Sequence, residues 1–318
     1  MSPAQPRLAA EAPPDCSRHY ETPVADSARW SAYRQRAGDI IVSTAPKCGT
    51  TWTQMAAAML LHGPKLPQPL AQLSPYLDSV LQPLDEVMAA LEAHPWRRVI
   101  KTHTPLDGLP YHPEVSYLYC GRDPRDAFLS MIDHMQNASP RMMAAAFDRL
   151  GVPHTTFPNE PNLFFHVWMT APVHGWMEDG FPTGSVFGHA RTFWPHRRLP
   201  NVHLLHYRDL STDLAGELRR LAAFLELPLA EADLPALTRA ASFAAMKDIA
   251  DQTAPGAHLG EWIDNRAFFL KARLGAWREA LNAENQALYA ELAPKRAPPA
   301  LRAWLEGGRA AAGDPRAL

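Results

Sequence analysis

Four short apolar runs punctuate the chain: "DIIVST" (39–44), "RRVIKT" (97–102), "VSYLYC" (115–120) and "NVHLLHY" (201–207). Their length and their β-branched and aromatic content predict strands. Between them, apolar positions recur at helical spacing. "TTWTQMAAAMLLHG" (50–63) runs into Gly63-Pro64, a helix stop. "DPRDAFLSMIDHM" (123–135) opens with Asp123 at an N-cap and Pro124 at the first helical position. "STDLAGELRRLAAFLEL" (211–227) sets Leu214, Leu218, Leu221 and Leu225 on one face. Strands alternating with helices of this length predict an α/β fold: a single domain with a mainly parallel central sheet flanked by helices. Ligands of such sheets bind beyond the carboxyl ends of the strands, where Lys47, His103, Arg122 and Tyr207 all fall.

The two ends of the chain lack this alternation. Residues 1–30 are Pro/Ala-rich and read as an N-terminal arm or mobile tail, and residues 297–318 read as a frayed C-terminal tail with one helical turn. That leaves 31–296 as the domain. With 318 residues, 47% of them apolar, the chain can bury a sizeable core. Its net charge of −2, without a clustered basic face, argues against nucleic-acid binding. Cys16, Cys48 and Cys120 form no C-x-x-C pair, which fits a reducing compartment and no structural zinc site. The N-terminus has no apolar signal-peptide core, and the longest apolar run, "MAAAMLL" (55–61), falls well short of the roughly 20 residues of a membrane span. These features predict a cytoplasmic protein with no membrane span. Only six of the 31 basic residues are lysines (Lys47, Lys65, Lys101, Lys247, Lys271 and Lys295), which draws attention to those positions as places for a compact ammonium, chance retention being the alternative.

Chemistry concentrates at three strand ends. In "APKCGTTW" a strand, a tight loop and a helix start direct backbone N–H groups and a helix dipole at an anion, so the unit is P-loop-like. Gly49 permits close backbone approach, Thr50 and Thr51 add hydroxyls, and Lys47 adds a point charge. An ordinary polar turn is the plainer reading of this stretch. The ATPase pattern, with lysine after the glycine, is absent. Trp52 is either core or a stacking surface for a base. "VIKTHTPLDGLP" (99–110) ends a strand in Lys101-Thr102-His103; most histidines are structural, but an imidazole here is aimed into the ligand crevice and suited to take a proton. In "YLYCGRDPRDAFLSMIDH", Arg122 stands as a phosphate fork and Ser130 two turns along the helix, a surface Arg–Asp pair being the alternative.

In this order, the three stretches resemble the cytosolic-type sulfotransferases that use 3′-phosphoadenosine-5′-phosphosulfate (PAPS). "PKCGTTW" resembles their phosphosulfate loop, "KTH" their catalytic segment and "RDPRDAFLS" their 3′-phosphate segment. "LLHYRDL", "ASFAAMK" (241–247) and "FFLKARLGAWREALNAENQALYAE" (268–291) continue the likeness, which spans roughly residues 30–293. The resemblance implies that Lys47 grips the bridging oxygen and 5′-phosphate, with Cys48, Gly49, Thr50 and Thr51 holding the phosphate. It implies that Trp52, Phe243 and Met246 enclose the adenine and that Tyr207 hydrogen-bonds it. Arg122, Ser130 and Lys271 would bind the 3′-phosphate, His103 would be the general base, and Lys101 would stabilise the transferring sulfuryl group. The donor would leave as 3′-phosphoadenosine-5′-phosphate (PAP), and no metal is implied.

Several positions depart from the family pattern. Cys48 stands for a common serine at a position that contributes mainly its backbone N–H, and Ala241 stands for a threonine. In the C-terminal loop Leu270, Ala272 and Ala276 replace the arginine, glycine and aspartate of "RKGxxGDW", and Arg273 is the residue within reach as a substitute. The family's dimerisation stretch is missing between 247 and 270, which leaves monomer and homodimer both open. For the acceptor, the segments 64–95 and 135–185 are expected to line the mouth. Tyr76, Met142 and Phe147 are candidate contacts, beside Met143, Phe164 and Phe165, for which packing under a loop is an equal alternative. A hydrophobic phenol, alcohol or amine fits better than a polyanionic glycan. The competing readings are a non-catalytic nucleotide-binding protein on the same scaffold, supported by the altered "LKARLGAW" loop, and a P-loop kinase, which lacks its lysine and its metal-binding carboxylates.

Overall fold

A computed structural model of the chain describes residues 12–151, 153–154, 159–171, 178–269 and 273–318. Four parallel strands, β1 (Ile40–Ser43), β2 (Val99–Thr102), β3 (Ser116–Gly121) and β4 (Val202–His206), form one sheet in the order β2-β1-β3-β4. Each strand is buried along its whole length, as parallel strands between helical layers must be. Side chains alternate between two cores. Ile41, Ile100, Tyr117 and Tyr119 join Phe128, Phe187, Phe193 and Trp304 on one face. Ile40, Val42, Leu118 and Cys120 join Trp52, Met55, Leu218 and Leu221 on the other. Strand order decides where a ligand can enter: the chain moves from β1 out to β2, then returns past β1 to β3. The crevice at that reversal lies at the carboxyl ends of β1 and β3.

Local chemistry sets the helix boundaries. The first helix (Thr50–His62) starts at Gly49 and stops at Gly63, whose N–H reaches the Met59 carbonyl. The helix Pro124–Asn137 begins under its Asp123 cap, which accepts from the Arg125 N–H. The 211–227 stretch is two helices, Tyr207–Thr212 and Leu214–Phe224, because Asp213 leaves helical geometry to cap the second. Its expected stripe still packs, with Leu218, Leu221 and Leu225 buried against the first helix's layer.

Both ends differ from expectation. The segment read as a frayed tail carries the helix Pro299–Ala312, with Leu301, Trp304, Leu305 and Gly308 buried along one face. Leu301, Trp304 and Leu305 follow i, i+3, i+4 spacing up to a kink at Gly308 (φ 66°), a helical stripe obscured by the flanking Pro and Gly residues. His206 at the end of β4 donates to the Leu305 carbonyl at 2.9 Å, and the Arg309 N–H donates to Asp209 at 3.0 Å, so this helix braces β4 from beyond the matched motifs. The described part of the arm, residues 12–30, is likewise docked. Tyr20 and Trp30 are buried, the Tyr20 hydroxyl donates to Asp107 at 2.6 Å, and backbone bonds Asp26 N–H to Asp78 O (2.8 Å) and Val80 N–H to Val24 O (3.0 Å) strap it to the loop before β2.

Candidate active site

The turn after β1 is held in a demanding conformation. Lys47 has φ 65°, a left-handed backbone that non-glycine residues rarely adopt, and Gly49 follows at φ 100°. Thr44 Oγ1 meets Thr50 Oγ1 at 2.5 Å, closing the loop across its base. The first-turn N–H groups of the following helix have no intrahelical acceptor and so are free to bind an anion at the crevice. The Lys47 side chain is half-buried. It donates to His134 Nδ1 at 3.2 Å and lies 4.4 Å over the Phe268 ring. Burial first, then the neighbouring Arg122 and Lys101 cations, lower its pKa to about 7. Such an ammonium gains more than a surface lysine from an anion placed beside it.

His103 extends from the end of β2. Its Nδ1 lies 2.7 Å from the Thr44 carbonyl, an oxygen that can only accept, so Nδ1 carries the proton and Nε2 keeps its lone pair. Burial, then the Lys101 charge, hold the ring neutral well below the usual histidine range. The Tyr76 ring packs edge-on against it, and the Lys101 ammonium sits 4.1 Å over the same tyrosine. Burial takes Lys101 down to about 8. The strand end is fixed by Asp78, fully buried, which accepts from Thr102 and Thr104 hydroxyls at 2.5 Å each and from the Trp30 indole at 3.3 Å.

Arg122 closes the third side. Its Nη1 donates to the Lys47 carbonyl at 2.8 Å, its guanidinium lies 4.0 Å over the Tyr207 ring, and its buried Nε has no partner among the described residues. A buried guanidinium with a spare donor is a site for an anionic oxygen. Beside it, Trp52 stands edge-on to Tyr207 at 5.3 Å and near Phe243 at 6.0 Å, its indole N–H donating to the Ala241 carbonyl at 2.8 Å. Trp52 is thus both buried and part of the wall.

One cavity gathers nearly all the residues singled out in the sequence. Lys47, Gly49, Thr50, Thr51, Trp52, Arg122, Ser130, Tyr207, Phe243 and Met246 line one part of it. Lys101, His103, Tyr76 and Met142 line the rest, with Val24 of the arm contributing to the wall. Other expectations do not line it, and one lies outside the described residues. Cys48 is fully buried, and its N–H donates to the Ala45 carbonyl at 3.2 Å, so the turn itself takes up the amide expected to face the phosphate. Arg273 is exposed, 3.6 Å from Glu279, and does not line the cavity. Phe147 is buried against His154 at 5.7 Å, off the cavity wall. Lys271, with Leu270 and Ala272, lies outside the described residues. Phe164 and Phe165 are core, packed on Phe128. The loop after residue 272 is nevertheless anchored beside Arg122: the Gly275 N–H donates to Asp126 at 2.7 Å and the Trp277 indole to Asp123 at 3.1 Å.

Sequence reasoning missed many of the cavity residues, among them His134, Phe268 and Glu261. His134 stands one turn beyond Ser130 on the same helix face, a spacing that was available as a signal. Phe268 and Glu261 come from a loop whose path no local pattern announces.

The sulfotransferase domain model matches residues 37–293. The chain belongs to the sulfotransferase family. A "Glycolipid sulfotransferase" of Mycobacterium bovis is 37% identical to it, over 91% of this chain and 94% of that protein. An "Amine sulfotransferase" of Oryctolagus cuniculus is 25% identical over 78% and 77%. Among solved structures, a mouse sulfotransferase complexed with PAP is similar in fold at TM-score 0.64, 20% identity and coverage of 86% and 89%. Retinol dehydratase, in complex with androsterone and PAP, is similar at TM-score 0.66, 21% identity and coverage of 86% and 84%. Within this sulfotransferase, three basic side chains, Lys47, Lys101 and Arg122, converge on a cavity whose wall is otherwise mostly neutral. Among the described residues, no group of three or more His, Cys, Asp or Glu is arranged to hold a metal ion, and no helix is long and apolar enough to cross a membrane.

Proposed function

We propose that this sulfotransferase moves the sulfuryl group of PAPS to a hydroxyl or amine of a small, partly apolar acceptor. The observation that carries this reading is the His103 imidazole: Nδ1 tied to the Thr44 carbonyl, Nε2 left with its lone pair, on the same cavity as Lys47 and Arg122. PAP in two proteins of the same fold supports the choice of donor.

In this reading Nε2 of His103 takes the acceptor's proton as its oxygen or nitrogen bonds to sulfur. The bond from sulfur to the bridging oxygen breaks, and PAP leaves. Charge then grows on the 5′-phosphate, where Lys47 and the first-turn N–H groups stand ready; Lys101 offsets charge on the sulfuryl oxygens in flight. Fixed donors aimed at developing charge lower a barrier of this kind without reorganising at the moment of reaction. Arg122 and Ser130 hold the 3′-phosphate, and Trp52, Tyr207, Phe243 and Met246 enclose the adenine. The lowered pKa of Lys47 suits its role, because the arriving anion restores the full ammonium. No step calls on a metal, since the three cations supply the positive charge. The similarity to a mycobacterial glycolipid sulfotransferase makes a lipid-borne sugar the first acceptor to try.

The test supplies PAPS and a panel of glycosides, phenols, alcohols and amines to the purified protein and follows PAP by chromatography. PAP release matched by sulfated acceptor is expected. Tight PAP binding with no sulfated product from any class would leave a nucleotide-binding protein in place of an enzyme.

A further inference from the structure

Within electrostatic reach of Lys101, the cavity wall carries a carboxylate with no visible task. Glu261 belongs to the loop between Pro255 and Phe269, and it lines the same cavity as His103. Among the described residues its carboxylate accepts no hydrogen bond and forms no ion pair; Lys101 acts on it only at longer range. It is not there by slack in the loop. Gly256 lies directly beneath the Glu261 carboxyl, at φ 68°, and a Cβ at that position would collide with it. The Glu261 N–H also donates to the Gly256 carbonyl at 3.3 Å. A tight turn therefore presents to the cavity a part-buried carboxylate without a protein partner among the described residues, and a ligand that displaces water from it must supply a donor.

We infer that Glu261, with Lys101, recognises a second hydroxyl on the acceptor, so that the preferred substrates are polyol or sugar heads on an apolar tail. The inference rests on the sulfuryl-transfer reading and specifies its acceptor. Glu261 can only accept and Lys101 can only donate, and a hydroxyl satisfies both at once. An ammonium would suit Glu261 alone and would face both Lys101 and Lys47. A wholly apolar head would leave Glu261 unpaired in the closed complex. The surroundings fit an amphipathic guest. Gln82 and His258, hydrogen-bonded to each other at 3.2 Å, add polar groups on the Glu261 side, while Leu81, Leu259 and Trp262 offer apolar wall.

The experiment compares octyl β-glucoside, 1-octanol and octylamine as acceptors with PAPS, in wild type and in Glu261→Gln and Gly256→Ala. PAP titration shows that each variant is folded and binds the donor product. Wild type is expected to favour the glucoside over octanol in kcat/KM by roughly tenfold or more. Both variants should lower that ratio by a similar factor, with the change chiefly in KM, and octylamine should be the poorest acceptor throughout. A ratio unchanged by Glu261→Gln, or equal losses on glucoside and octanol seen in kcat, would overturn the assignment. Binding of the three acceptors to the PAP complex is measured alongside. If wild type binds the glucoside preferentially and Glu261→Gln does not, yet nothing is sulfated, the recognition stands and the transfer reading fails. If binding shows no preference either, the recognition fails as well.

Discussion

The two halves of the cavity are built by different means. The part lined by Lys47, Arg122, Ser130 and Tyr207 stands on strand ends and helix starts, each held by backbone geometry within a few residues of it. The part lined by Tyr76, Glu261, Trp262 and Phe268 is made of loops, joined by Val24 from the docked arm and Met142 from a separate helix. The first is a cationic, rigid surface suited to one fixed polyanion. The second combines apolar rings with a single carboxylate and takes its shape from packing among distant segments. A rigid half can be shared among proteins that use the same donor, while a loop-built half is free to differ in acceptor.

Breaking the machinery where the halves meet should have the largest effect. His103→Ala is expected to lower turnover about 100- to 10,000-fold while leaving PAP affinity within a few-fold. Stopped assays beside PAP titration check this, and near-wild-type turnover would remove His103 as the base. Next in size, Arg122→Ala should weaken PAP by roughly 10- to 100-fold through loss of charge-assisted bonds. Adenosine 5′-phosphosulfate, lacking the 3′-phosphate, should lose much less, and equal losses would place Arg122 elsewhere on the donor.

A smaller effect comes from pH. With the Lys47 pKa near 7 in the free protein, the ammonium is present below that value and disappears above it. PAP favours the charged form, so its binding should take up a proton above pH 7, and its affinity should fall up to about tenfold per pH unit there. Calorimetry in buffers of different ionisation enthalpy reads the proton directly; pH-independent binding would mean that Lys47 does not contact the nucleotide. The smallest expected change belongs to the loop-built half: Met142→Ala should alter acceptor KM a few-fold, by an amount that differs between acceptors, with PAP affinity unaffected. A uniform change across acceptors would place Met142 with the donor.

Much of the rigid half was legible because its signals are local. Gly63 stops one helix, Asp123 and Pro124 start another, and "APKCGTTW" needs only its own few residues to turn from strand into helix. The misses share another cause. Phe147 looked like a pocket residue by type and position, yet its ring packs on His154. Arg273 was near enough in sequence to replace a missing arginine, but its partner is Glu279 at the surface. The helix Pro299–Ala312 carried its stripe in plain view at Leu301, Trp304 and Leu305, between prolines and glycines that suggested fraying. Burial against β4, which no local propensity encodes, stabilises it.

The chain's pattern by itself determined an α/β domain, four parallel strands and a tight strand-to-helix turn after the first of them, because strand and helix periods and caps are set over about a dozen residues. Tertiary structure alone decided which groups would be charged and where they would point. His103 has its tautomer from Thr44, 59 residues away; Lys47 meets His134 across 87; Trp52 finds the Ala241 carbonyl across 189. Protonation and orientation follow from desolvation and from neighbours in space, and those exist only once the sheet has brought its loops to one crevice.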